Sequence, residues 1–105
     1  MIKCYIDVSG YHRVDANDVH PLIGSYLEQD VQRYPTACDE VLKSLEEVEK
    51  GIRDSWSGTG NAHTVTIDPD GVSIVNEWDD SFGMARLSHS VFRQSVEAWR
   101  QFIAS

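Results

Sequence analysis

Residues 64–75 read TVTIDPDGVSIV, and this stretch decides the fold class. Apolar and polar residues alternate on both sides of a central turn, which is typical of strands that bury one face. Residues 68–71 supply the turn, because proline presets one backbone angle and Asp and Gly tolerate the tight conformations that a hairpin needs. The stretch therefore predicts an antiparallel β-hairpin.

Other segments predict further strands. Residues 2–8 alternate in the same way, Ser9-Gly10 offers a turn, and residues 11–15 are expected to return as the partner strand of a first hairpin. Residues 84–87 would add a short fifth strand. The Ser- and Gly-rich residues 57–61 are expected to form a loop.

Three segments have helical periodicity. The first follows Asn17-Asp18, which can cap a helix, and ends before Pro35. The second is predicted to begin with Thr36 as its N-cap and to end near Trp56, a residue expected in the core. Its apolar face would comprise Val41, Leu45, Val48 and Ile52. The third is capped by Ser88 or Ser90, and its apolar stripe is Phe92, Val96, Trp99 and Ile103.

These elements predict an α+β fold in which two hairpins and the possible fifth strand form one antiparallel sheet packed by about three helices. The 105 residues are the length of one domain, so residues 1–105 are expected to fold as a unit. The second and third helices are expected to cover one face of the sheet.

The charge balance limits the choice of partner. Seventeen acidic residues against nine basic ones give a formal net charge of −8, which opposes binding to nucleic acid and to anionic membranes. The same charge favours solubility or encounter with a positively charged protein. The N-terminal segment lacks the apolar run of a signal peptide, and Cys4 and Cys38 fit no metal-site spacing, so we expect a cytoplasmic protein with two reduced thiols.

No catalytic motif stands out. The sequence contains neither a nucleophile elbow nor a phosphate-binding loop, and its four histidines are scattered. His63 could act as a base with Asp68 or Asp70, in a small hydrolase, but a histidine before a hairpin is more often a structural hydrogen-bonding residue. The sequence thus favours a protein that is not an enzyme and that holds neither a cofactor nor a metal.

Two acidic surfaces compete as a partner-binding site. In one, Trp78 is surrounded in sequence by Glu77, Asp79 and Asp80, and an aromatic among carboxylates is suited to anchor a basic partner. The alternative is that Trp78 points inward from a strand. The other surface lies on the second helix, where three acids have basic residues four positions later that would partly cancel them. The second surface comprises Asp39, Glu40, Glu46, Glu47 and Glu49.

Residues 61–74, Leu87-Ser88 and the segment from Phe92 to Ile103 carry a resemblance to a known group. The chain resembles the small immunity proteins of bacterial contact-dependent growth inhibition systems and the related YacL-like family. The resemblance implies an antidote that binds and neutralises a cognate toxin domain, expected to be a basic nuclease that acts on RNA. The alternative is a housekeeping YacL-like binding or regulatory protein without a toxin.

The resemblance assigns no contact residue, so the choice of site rests on charge and exposure. We expect a single toxin-facing patch that joins the acids of the second hairpin's tip to those around Trp78, because together they concentrate negative charge around one aromatic. The acids around Trp78 also have no basic partner four positions away, unlike three of those on the second helix. The predicted patch comprises Asp68, Asp70, Glu77, Trp78, Asp79 and Asp80.

Overall fold

The computed structural model describes residues 1–105 and has an α+β fold, as predicted. Three α-helices, one π-helical turn and six strands follow one another along the chain. In order they are β1 (Lys3–Ile6), β2 (His12–Asp15), α1 (Pro21–Tyr26), the π-helical turn (Leu27–Val31), α2 (Pro35–Glu49), β3 (Trp56–Thr59), β4 (His63–Asp68), β5 (Gly71–Asn76), β6 (Met84–Leu87) and α3 (His89–Ala104).

The strands form two antiparallel sheets rather than the single sheet expected. β1 pairs only with β2, whereas β3, β4, β5 and β6 form a four-stranded sheet in chain order. Both predicted hairpins are present, and the short strand β6 pairs with β5. The sequence shows each hairpin because its turn is local, but no local signal says whether two hairpins share a sheet.

The prediction of a loop at residues 57–61 is wrong for Ser57–Thr59, which belong to β3. This strand pairs with β4, and the hydroxyl groups of Ser57 and Thr59 hydrogen bond to those of Thr66 and Thr64. Gly58 was one of the residues that suggested the loop, but the indole of Trp56 folds over its backbone, so that a Cβ there would overlap the ring. The glycine therefore serves packing within the strand.

The first helix is shorter than predicted and ends differently. α1 begins at Pro21, where Nδ1 of His20 accepts a hydrogen bond from the Leu22 amide, so His20 takes the capping role expected of Asn17-Asp18. The helix then widens into the π-helical turn. It ends at Gln32, whose φ of 55° and ψ of −136° are rare for a residue other than glycine.

The second helix also has boundaries that differ from the prediction. α2 starts at Pro35, one residue before the expected cap Thr36. It ends at Glu49, so Ile52 lies beyond it and is 67% exposed, and Trp56 lies in β3. Gly51, with a φ of 75°, follows the C-cap residue Lys50, and this left-handed conformation stops the helix there.

One hydrophobic core of 22 buried residues joins both sheets and all three helices. α3 begins after Ser88, whose side chain accepts a hydrogen bond from the Val91 amide, so Ser88 is the cap. The predicted stripe on α3 is buried, with Trp99 only 1% exposed. α2 and α3 both contact the four-stranded sheet and each other, as expected. None of the helices is long and apolar enough to cross a membrane.

Candidate partner-binding site

The loop between β5 and β6, residues 77–83, is called the Trp78 loop below. It leaves the sheet through Asn76, whose side-chain oxygen accepts hydrogen bonds from the amides of Trp78 and Asp79 at 2.8 and 3.0 Å. A second turn follows, in which Asp79 accepts from the amide of Ser81 at 2.9 Å. These side-chain caps occur where short polar residues replace the backbone partners of a strand. The loop is thus built from successive turns that hydrogen bonds define.

Trp78 is 83% exposed, so the alternative in which it points into the core is wrong. Its indole Nε1 donates a hydrogen bond to the backbone oxygen of Asn61 at 3.1 Å. One edge of the ring is therefore fixed against the β3–β4 loop while the rest faces solvent. An aromatic side chain held in this way loses little conformational entropy when a partner covers it.

The loop that carries Asn61 is in turn tied to the π-helical turn. The side-chain amide of Asn61 donates to the backbone oxygen of Gln29, and Asp30 accepts hydrogen bonds from the amides of Ala62 and His63 at 3.1 and 2.9 Å. The side chain of Asp30 is 3% exposed. A buried carboxylate thus positions the loop against which Trp78 rests.

His63 is paired with Asp30, not with Asp68 or Asp70 as considered from the sequence. Its Nδ1 lies 3.1 Å from an oxygen of Asp30, and its Nε2 lies 2.8 Å from Oγ of Ser25. The order serine, histidine, aspartate is that of a hydrolase triad. However, the His63 side chain is fully buried, which leaves no room for a substrate beside the imidazole. We therefore interpret the three residues as a link between α1, the π-helical turn and the sheet.

The acids of the Trp78 loop are not neutralised by neighbours. Glu77, Asp79 and Asp80 are exposed, and none of them forms an ion pair. Hydrogen bonds from Ser81 hold the pKa of Asp79 below its usual value, so this carboxylate stays ionised in neutral solution. Phe82 in the same loop and Met84 at the start of β6 are also exposed. The loop therefore offers apolar side chains among free negative charges.

The two acids of the hairpin tip do not join this loop. Asp68 pairs with Gly71 at one end of the β4–β5 ladder, while His63 pairs with Asn76 at the other. At about 3.4 Å per residue, the two ends lie about 17 Å apart. The six predicted residues thus form two separate groups, with Asp68 and Asp70 in one and residues 77–80 in the other.

Asp68 also differs from the loop acids in its charge environment. Arg86 donates to both of its oxygens, at 2.8 and 2.9 Å, and this bidentate contact lowers the pKa of Asp68 to about 2. The amides of Asp70 and Gly71 bond to the same carboxylate. Asp68 therefore stabilises the turn and its strand contact, and only Asp70 remains unpaired at the tip.

The competing acidic surface on α2 is largely neutralised, although mostly by partners other than those expected. Glu46 pairs with Lys50 as predicted. The remaining pairs reach across helices or turns: Asp39 with Arg100, Glu47 with Arg53, and Glu49 with Arg93. Only Glu40 of the five lacks an ion pair. The Trp78 loop is thus the acidic surface with the more accessible charge.

Comparison of the chain with protein-family models, with curated proteins and with solved structures finds no match. No group of three or more His, Cys, Asp or Glu residues is placed to hold a metal ion.

The sequence did not reveal the support of the Trp78 loop. Asn61 bonds to Gln29, and Asp30 bonds to Ala62 and His63, so these contacts join residues more than 30 positions apart and form only when the π-helical turn packs on the β3–β4 loop. Neither Asp30 nor Asn61 occurs in a recognisable motif. The exposure of Phe82, in contrast, follows from its place among acidic and small residues, a pattern typical of loops.

Proposed function

We propose that this protein is an acidic inhibitor that binds and neutralises the toxin domain of a contact-dependent growth inhibition system. The observation that carries the proposal is Trp78, which is 83% exposed yet fixed by a hydrogen bond to Asn61. Large exposed aromatics among charged residues are characteristic of protein-binding sites. The resemblance described above supports the same assignment.

The charges of the Trp78 loop determine the kind of partner. Three unpaired carboxylates beside an aromatic favour a basic surface, and a nuclease that binds RNA presents one where the phosphates of its substrate lie. Carboxylates placed there accelerate association and occupy the cleft. We therefore propose a nuclease acting on RNA as the toxin, and the cytoplasm, where such a toxin would meet RNA, as the site of action.

The anchoring role of Trp78 predicts where the affinity resides. Truncation of a central aromatic anchor typically costs about 2 kcal/mol or more of binding free energy, about a thirtyfold loss of affinity. The charges around it are expected to act mainly on the association rate, which should fall as salt concentration rises.

The experiment is co-expression of the chain with the protein domain encoded directly upstream of it, scored by cell survival and by co-purification. The proposal predicts toxicity of the upstream domain alone, rescue by the wild-type chain and a stable complex. Trp78→Ala and the double change Asp79→Lys with Asp80→Lys should weaken rescue. A matched control reverses the charges of two exposed acids elsewhere, Glu40 and Asp54, and should rescue fully.

The outcomes separate the function from its site. Absence of toxicity and of a complex would contradict the antidote function and favour the housekeeping YacL-like alternative. Rescue and binding that are equal for the wild type and both Trp78-loop variants would support the antidote but contradict the site.

A further inference from the structure

A second surface, which shares no residue with the Trp78 loop, combines an arginine without an ion pair, two exposed tyrosines and a buried nitrogen without a hydrogen bond. It is a groove of about 430 Å³ between the first hairpin, the segment after the π-helical turn, and α3. We propose that this groove binds a small aromatic anion, meaning a planar ring that carries a carboxylate or phosphate group. The residues that carry this proposal are Tyr11, His12, Arg33 and Tyr34.

The groove contains the one arginine that no carboxylate neutralises. Five of the six arginines form ion pairs, and Arg33 does not. This is unexpected in a chain with a net charge of −8, where acids outnumber basic residues almost two to one. Glu28, the carboxylate that also lines the groove, is engaged by Arg13 and by the Val14 amide. Arg33 therefore remains available to an anion from outside the chain.

Two tyrosines border the same groove with their rings in solvent. Tyr11 is 67% exposed and Tyr34 is 61% exposed. Exposed aromatic rings next to a free guanidinium suit a ligand with a flat apolar body and one negative group, because the ring can pack while Arg33 pairs with the charge. Trp99 and Ile103 of α3 lie behind the groove but are only 1% and 8% exposed, so the apolar contact has to come from the two tyrosine rings.

His12 provides a further polar group without a partner. It packs against Phe102 with ring centroids 4.9 Å apart, and its Nδ1 is buried without any hydrogen bond in the chain. Nearly all buried polar groups in proteins are satisfied, so an exception at the border of a groove calls for an explanation. Turning the imidazole to meet a ligand would give this nitrogen a partner.

The backbone beside the groove is strained at Gln32. Its positive φ of 55° lies at the end of the π-helical turn, and both features are found preferentially at functional sites. Part of the strain has a structural use, because the Gln32 oxygen accepts a hydrogen bond from Nε1 of the buried Trp99 at 2.7 Å. The same conformation places Arg33 and Tyr34 at the groove.

The test is an NMR titration of the isotope-labelled chain with benzoate and, separately, with phenyl phosphate as probes. We expect saturable shifts at residues 11–12 and 32–34. Acetate lacks the ring and benzamide lacks the charge, so each should bind roughly tenfold more weakly. Arg33→Gln should abolish saturation, while Arg53→Gln, which removes an arginine paired with Glu47 instead, should not.

The outcomes distinguish a carboxylate ligand from a phosphate ligand and test whether the groove is the binding site. Tighter binding of phenyl phosphate would assign a phosphorylated ligand, and tighter binding of benzoate a carboxylate. Shifts that do not saturate, that lie outside the groove, or that persist in Arg33→Gln would overturn the proposal. Because the groove shares no residue with the Trp78 loop, its test uses different variants and can fail or succeed whatever the toxin experiment shows.

Discussion

Replacement of Asp30 by Ala should strongly destabilise the fold. The carboxylate is 3% exposed and accepts three hydrogen bonds, from the amides of Ala62 and His63 and from Nδ1 of His63. Removal of the carboxylate leaves these donors without their acceptor. Each donor that stays buried and unpaired costs roughly 1–3 kcal/mol of folding free energy. Because the three donors are neighbours and relax together, we expect a total loss of about 3–5 kcal/mol.

Urea denaturation monitored by circular dichroism measures this loss. A domain of this size is expected to unfold with a free energy of about 5–15 kcal/mol, so the variant should keep about 0–12 kcal/mol and unfold at a clearly lower urea concentration. Asp54→Ala, at an exposed aspartate that forms no ion pair, is the control and should change stability by less than about 0.5 kcal/mol. Asp30→Asn, which keeps one acceptor oxygen, should fall between the two. A loss below about 1 kcal/mol for Asp30→Ala would show that these hydrogen bonds contribute little to stability.

Three further changes test other parts of the structure. Gln32→Gly should stabilise the fold by about 1 kcal/mol in thermal unfolding, because glycine adopts a φ of 55° without strain, whereas Gln29→Gly within the π-helical turn should destabilise it. Arg86 lowers the pKa of Asp68 in the folded chain from 3.8 to about 2, so the ion pair stabilises the fold above pH 3.8 and this stabilisation is lost as the pH falls through about 2. Over this pH range Asp68→Asn should therefore lose less stability than the wild type, as measured by unfolding curves. Equal losses would contradict the pairing. Burial raises the pKa of the Cys38 thiol to about 11, so this thiol should be unreactive in the folded chain. In a Cys4→Ser variant, DTNB should react with Cys38 only as the chain unfolds. Rapid labelling of the folded protein would contradict the burial of Cys38.

The sequence predicts the elements that depend on local patterns. The Asp68–Gly71 turn defines the second hairpin, and the apolar stripe of α3 is buried as the spacing of Phe92, Val96 and Trp99 requires. β3 was missed because the sequence contains no sign that the glycine at position 58 accommodates the ring of Trp56. The separation of the hairpins into two sheets was missed because strand pairing beyond a turn is not encoded locally.

Only the part of the candidate site that depends on a local sequence pattern was predicted. The acids around Trp78 are adjacent in sequence and form an exposed loop, so their pattern is enough to identify them. The hairpin tip was grouped with them because Asp68 and Asp70 are close in the chain, although the length of β5 separates the tip from the loop. The pairing of Asp68 with Arg86 depends on the register of β5 and β6, which the sequence does not fix.

Isothermal titration should measure the affinity of the chain for the protein domain encoded directly upstream, because this affinity depends on both the antidote function and the Trp78 site. The proteins to compare are the wild type, Trp78→Ala and the control Ile52→Ala, which changes another exposed residue. We expect a tight complex for the wild type and the control, and about thirtyfold weaker binding for Trp78→Ala. A tight complex whose affinity is the same for all three proteins would contradict the assignment of the Trp78 loop as the binding site.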